Sequence, residues 1–412
     1  MPGIFVRIAW RNIFRNRRRS FVVITSVAIG MGGALFMNIF MMGMAQQMTH
    51  AAINSYLGHI QVHRKGFADN PVIKNSMTNP DSVNRVLVSH ADRTAGVTPR
   101  VIARGLGQSA TNSSGVMILG VDAKHEPELT SIGERIVEGR FLSGKTHRRR
   151  KEIVIGDELA QKLGVRVGKK VILVSQAHGG DMGSAAFRVV GIFRMPSSDL
   201  NKMFVWINVK DAQKMLALGN GLSEFMLKVE EGESLDGVAG ELQAALGDGY
   251  EVRTWKQVSR EMVQMIDMFD LSVYIMMIII FMAASFGIIN TMLMSVFERM
   301  REFGILRAIG TSPWALFRTV VYEALFIGII GMMGGMILML ILNYGFFADG
   351  MDLSIFEESL AMFGSDAVIK PVLDIELMIV TIVIVEAMTV LASLWPAARA
   401  ARLQPVEAMR HT

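Results

Sequence analysis

No cysteine occurs in the 412 residues. Disulfides, thiolate zinc sites, iron–sulfur clusters and cysteine nucleophiles are therefore excluded, although the compartment stays open because large secreted domains can fold without disulfides. Charge is the second shortage. Asp, Glu, Lys and Arg supply 19% of the chain, against about 25% in an average soluble domain. Catalytic signatures are missing too: there is no G-x-S-x-G, no H-E-x-x-H and no carboxylate pair at catalytic spacing. What is abundant is apolar surface, 51% of residues before the 39 glycines are added. A single soluble enzyme domain, a disordered chain and a disulfide scaffold do not fit this composition.

The charge that exists is unevenly spread. Residues 46–270 hold 28 of the 42 Lys and Arg and 25 of the 37 Asp and Glu, the density of an ordinary soluble domain. Elsewhere, four runs are long enough to cross a bilayer, which takes about 20 apolar residues. They are residues 21–45, 271–297, 315–347 and 376–398; in the last, Glu386 alone interrupts the stretch from Leu377 to Ala398. The apolar part of the first run is 24 residues, too long for the core of a cleaved signal peptide, about 7–15 residues. It reads as an uncleaved anchor.

Arg and Lys near the span ends set the orientation. Arg7, Arg11, Arg15, Arg17, Arg18 and Arg19 precede the first span; Arg299, Arg301, Arg307 and Arg318 lie between the second and third; Arg399, Arg402 and Arg410 follow the fourth. The stretch between spans three and four, 348–375 with the adjoining Glu376, is instead acidic, with Asp349, Asp352, Glu357, Glu358, Asp366, Asp374 and Glu376 against Lys370. Both termini (1–20 and 399–412) and the loop at 298–314 are thus expected in the cytoplasm, and residues 46–270 outside. The net charge of +5 then reflects topology, and no nucleic-acid partner is expected.

Arg7, Arg11, Arg15 and Arg18 recur at helical spacing. That stripe suits a helix lying on the inner membrane surface with arginines toward anionic headgroups; it also suits a plain topology signal, and both can hold. In the outside region, residues 58–63, 116–121, 152–155, 170–174, 187–192 and 203–207 read as strands. Residues 156–163, 209–218 and 235–246 read as helices, so the domain is α+β. Residues 46–56 and 255–271 continue the helical patterns of spans one and two, as a pair of stalks would.

Several motifs have a bland competitor. Gly139 to Thr146 matches G-x-x-x-x-G-K-[ST], but a phosphate loop must open a helix, and here a basic run and a strand pattern follow. No nucleotide is expected there. His59 and His63 on a strand would stand about 13 Å apart, too far to share a metal ion. Glu323 at the start of span three is expected to snorkel or to pair with Arg318. Glu386, about midway along span four, suits either an inter-subunit hydrogen bond or a transport path, because an acid within a span is costly. Gly331 and Gly335 fit close helix packing. The 32 methionines read as adaptable packing rather than a substrate surface. The loop E-R-M-R-E-F-G-I-L-R-A-I-G-T-S-P (298–313) is a short charged helix pattern, ended by Gly310 and restarted at Pro313. It could sit at the interface or dock into a cytoplasmic partner.

Taken in order, "AWRNIFRNRRRS", "GHIQVHRKGF", "MILGVDAKHEPEL…IVEGRFL", "EIVIGDELAQKLGVRVGKKV", "FRVVGIF", "ERMREFGILRAIGTSPWAL" and "WPAARAARLQPVEAM" resemble the FtsX-like permeases of the MacB and LolC/LolE type, membrane subunits of type VII ABC transporters. The resemblance covers essentially the whole chain. It implies an α-helical membrane protein with four transmembrane helices and an α+β periplasmic domain inserted between helices 1 and 2, in a bacterial inner membrane. It implies no catalysis in this chain, with ATP and Mg bound by a cytoplasmic ABC ATPase subunit that docks on Arg299, Arg301, Glu302, Phe303, Ile305, Arg307 and Gly310. The sequence contains no ATPase segment of its own, so a separately encoded ATPase is expected. A second permease copy or homologous permease, membrane lipids and a periplasmic chaperone or adaptor are the other implied partners. Release of lipoprotein or other amphipathic cargo is the expected function. Efflux of small molecules or peptides with an adaptor, and signalling to cell-wall hydrolases, are the alternatives.

Overall fold

The computed structural model describes residues 2–15, 17–144 and 151–402. They form two compact units, one drawn from residues up to 45, 266–352 and 368 onward, the other from residues 46–265 and 353–367.

The first unit is helical. Among the described residues, four helices are long and apolar enough to cross a membrane: Ser20–Leu57, Arg260–Glu298, Pro313–Phe346 and Ile375–Ala401. At 39 residues the second is about 58 Å long, nearly twice the hydrocarbon thickness of a bilayer. Spans one and three meet through small residues. A Cβ on Gly331 would come within 2.6 Å of Val27, and one on Gly335 within 2.6 Å of Met31, so the glycine pair lets the two backbones approach. Val27, Met31, Leu35, Phe281, Ile327 and Val385 belong to the buried cluster of this unit, while Ile275, Ile279, Met282 and Phe286 of span two stay exposed. A helix apolar on its outer face as well as its inner one is suited to a lipid or protein neighbour, not to water.

The second unit is α+β. Its strands are β1 (Ile60–Arg64), β2 (Thr94–Gln108), β3 (Ser113–Val121), β4 (Ile136–Gly139), β5 (Glu152–Gly156), β6 (Lys170–Gln176), β7 (Met182–Phe193), β8 (Phe204–Asn208), β9 (Glu224–Val229) and β10 (Tyr250–Thr254). They join in the order β10-β1-β9-β2-β3-β8-β5-β7-β4, with β6 bridging β2 and β7. Helices Asp157–Leu163, Val209–Met215 and Leu235–Leu246 cover a core of Ile118, Ile153, Leu173, Phe187, Ile207 and Leu227. The 15-residue β2 is absent from the sequence reading because Pro99, Gly105 and Gly107 interrupt it. The structure explains Gly105: a Cβ there would lie 2.4 Å from the Val174 carbonyl oxygen of β6, which pairs antiparallel with this end of the strand. Gly139 is likewise a sheet glycine, with φ +82° and no room for a Cβ beside the Val190 carbonyl.

The acidic loop expected as one piece at 348–375 is divided. Met351–Asp352 pairs with Val368–Ile369 in the helical unit. Residues 353–367 belong to the α+β unit, where Asp366 faces Arg135 at 3.3 Å.

Candidate functional site

The loop between spans two and three folds as a helix, Met300–Ala308. Its end is capped as a Schellman motif: Gly310 takes φ +96°, its N–H bonds the Arg307 carbonyl at 3.1 Å, and the Thr311 N–H bonds Leu306 at 2.9 Å. Ser312 then caps the next helix, its Oγ accepting from the Ala315 N–H at 3.2 Å with Pro313 at the first position. The sharp reversal is therefore written in four consecutive residues.

A chain of alternating charges crosses this loop. Arg15, the last residue of the N-terminal helix Pro2–Arg15, donates to both oxygens of Glu302 at 2.8 Å. Arg299 reaches the same carboxylate at 3.3 Å and Glu323 at 3.0 Å. Exposure falls along the series, from half-exposed Arg15 and Glu302 to a Glu323 side chain only 2% exposed. Burial pushes the Glu302 carboxyl up, but Arg15 and Arg299 outweigh it and hold the group below its ordinary value. The Arg299 guanidinium also lies 4.9 Å from the Phe303 ring centre, and Phe303 is buried in the core of the helical unit.

These positions revise several expectations. Glu323 pairs with Arg299, not with Arg318, whose guanidinium lies over the Phe5 ring at 5.8 Å. Arg299 and Phe303 point inward and cannot form an outward docking surface. Arg301 and Ile305 do face outward, joined one turn later by Ile309 at 74% exposure. Arg307 is half-buried and donates to the Thr311 carbonyl at 3.3 Å, and Gly310 lies exposed at the tip. Arg7, Arg11, Arg15 and Arg18 are all exposed, but Arg15 is occupied by Glu302. The opposite face of the N-terminal helix packs on span three, burying Ala9 and Ile13 and setting Trp10 edge-on to Phe326 at 5.3 Å. The Arg15–Glu302 link joins residues 287 apart in sequence. No local pattern announces it.

Neither oxygen of Glu386 has a hydrogen-bond partner among the described residues, and a Cβ on Gly328 would meet Oε2 at 2.5 Å. In the α+β unit, His59 Nδ1 accepts from the Val229 N–H at 2.9 Å; burial, then Lys228, lowers its pKa, favouring the neutral ring that such an acceptor needs. His63 Nε2 lies 3.0 Å from Glu224. Each histidine is thus engaged by a different partner. Arg140 and the Ser143 N–H both bond Glu152, at 2.6 and 2.8 Å, within the phosphate-loop-like motif. Lys145 and Thr146 of that motif lie outside the described residues.

Residues 20–245 match the family described as MacB-like periplasmic core domain, and residues 274–405 that described as FtsX-like permease C-terminal. The chain belongs to this family of ABC transporter permeases. Among relatives of this FtsX-like permease is the lipoprotein-releasing system transmembrane protein LolC of Xylella fastidiosa, 25% identical over 98% of each chain. LolE of Haemophilus influenzae, named for the same system, is 25% identical over 76% of this chain and 77% of its own. The crystal structure of the periplasmic region of MacB from Actinobacillus actinomycetemcomitans matches 52% of the permease and 97% of itself, with 12% identity and a TM-score of 0.38.

Proposed function

We propose that this permease is the membrane subunit of a transporter that releases lipoprotein or another amphipathic cargo from the outer leaflet of a bacterial inner membrane. The observation that carries the reading is end-to-end likeness to lipoprotein-releasing LolC, 98% of both chains. ATP is hydrolysed by a separate cytoplasmic ATPase, and the loop helix Met300–Ala308 is its dock. The outward stripe of Arg301, Ile305 and Ile309 supports that role, since exposed apolar side chains beside a guanidinium suit a partner groove with an acidic rim. The salt-bridge series behind it would hold the dock to span three and to the N-terminal helix. Termini inside and the α+β domain outside follow from the arginine distribution. A second permease completes the complex, and the exposed apolar face of span two offers it a surface. In the α+β unit, a cleft of about 790 Å³ mixes Arg135, Arg194, Glu357 and Glu358 with Ile355 and Met362, a lining suited to amphipathic cargo.

Ile305→Glu combined with Ile309→Glu tests the dock. The variant should insert normally yet fail to co-purify its ATPase, and retention of ATPase at wild-type stoichiometry would refute the assignment. Mass spectrometry of material bound to the purified complex tests the cargo: acylated protein is expected, and small molecules alone would point to efflux. A periplasm-only reporter fused after Asp349 should be active and one fused after Arg307 inactive.

A further inference from the structure

The α+β unit encloses a second ionic cluster. Arg100, in the middle of β2, is fully buried with Glu126, Glu224 and His63. Its Nε and Nη2 both donate to Glu126, and its Nη1 reaches Glu224 at 3.4 Å. The same Nη1 donates to the backbone carbonyl of Tyr56. Thr98 completes the Glu126 side at 3.1 Å, and His63 the Glu224 side at 3.0 Å. Burial pushes the Arg100 pKa down, but Glu126 and Glu224 together outweigh it and leave the guanidinium firmly charged.

Tyr56 sits where the stalk stops. The helix Arg17–Ala52 ends in a π-helical turn, Ile53–Leu57, and a helix end leaves its last carbonyls open. Here the Gly58 N–H closes the π turn on Ile53 at 3.0 Å, while Leu57 accepts from Gln61 Nε2 at 2.8 Å, Asn54 from Ser131 Oγ at 3.3 Å and Tyr56 from Arg100. Gly58 (φ +67°) makes the turn into β1, with no space for a Cβ beside Met226. The second stalk leaves from the neighbouring strand, because Ile60 pairs with Thr254 and the Trp255 N–H bonds the His59 carbonyl at 3.0 Å.

A buried charge cluster is a poor source of stability, because apolar side chains of like volume pack as well without the desolvation cost. What a guanidinium adds is direction: its planar fork fixes acceptors on three sides at once. We infer that Arg100 is a positioning residue that sets the angle between the last turn of the first stalk and the sheet, so that stalk and sheet move as one body. Resting on the permease reading, that joint would carry motion of the membrane helices into the outside domain. The angle itself can be measured whether or not that reading holds.

The absence of cysteine permits clean labelling. Spin labels at His50→Cys on the stalk and Ser184→Cys on β7 in the full chain, reconstituted in nanodiscs, report their distance distribution. Arg100→Lys keeps the charge but cannot reach Glu126, Glu224 and Tyr56 together. It should widen the distribution roughly twofold while sheet amides keep their exchange protection. An unchanged width would overturn the inference. If Arg100→Lys is not monodisperse, Glu126→Gln decides in its place by the same width, because it keeps the shape and removes the charge that orients the fork. With the ATPase partner present, the widened variant should hydrolyse ATP at the wild-type rate and release at least tenfold less cargo. Loss of hydrolysis as well would count against the joint and in favour of a folding defect.

Discussion

Two arginines, Arg299 in the loop between spans two and three and Arg100 in the α+β unit, each bridge two carboxylates, and they do so in opposite settings. Arg299 stands in a graded series, closed at Glu323 and open to water at Glu302 and Arg15. Arg100 is enclosed on every side. The difference shows in what a neighbour can change. An approaching protein can compete for Glu302, because half of that side chain is already in solvent and an exposed pair is worth about 0–1 kcal/mol. Nothing outside the fold can reach Glu126 or Glu224. One cluster is built to be rearranged, the other to hold.

The largest effect should come from removing the enclosed arginine outright. Arg100→Ala strands two buried carboxylates and an open carbonyl, a loss of about 3–5 kcal/mol. Thermal unfolding of the outside domain should then start many degrees lower, and an unchanged transition would show the cluster to be idle. Arg299→Ala leaves Glu323 unpaired and should cost nearly as much in the helical unit. Adding Glu323→Leu should recover most of the loss, and failure to recover would mean that Arg299 acts through Phe303 packing instead.

Acid separates the clusters further. Burial raises the Glu224 carboxyl, but His63 and Arg100 outweigh it and hold it below its ordinary value. Its folded value is thus below its unfolded one. Its stabilisation is complete above the unfolded range and disappears as pH falls through the lowered folded value, below about pH 4. Glu302 shifts in the same direction, discounted by its exposure. A pH titration followed by hydrogen exchange should therefore open the loop with little cost and the outside domain abruptly. The smallest effect is Arg15→Ala, within about 1 kcal/mol. In about 1 M salt, where the screening length is near 3 Å, that difference should vanish in a double-mutant cycle with Glu302, while the Arg100–Glu126 coupling persists.

Much of the fold was legible because membrane and water impose opposite compositions. The spans follow from uncharged runs, the α+β character from short alternating segments, and a close-packing face on span three from Gly331 and Gly335, although its partner, span one, appears only in the fold. The strand β2 was hidden by Pro99 and its glycines, and the reason for Gly105 appears only when β6 pairs alongside it. At the loop between spans two and three, residue types pointed to a short charged helix, but not to which side chains face out. Arg299 and Phe303 share the helical pattern of Arg301 and Ile305, and only the packing of the helix turns the first two inward.

The chain by itself determined the number of spans, their caps and the side on which arginine concentrates, since each depends on residues close in sequence meeting a solvent. The tertiary structure alone decided the partners of Arg15, Arg299 and Arg100. A buried or half-buried charge is satisfied by whatever the fold brings within about 3 Å, and that neighbour can be 287 residues away.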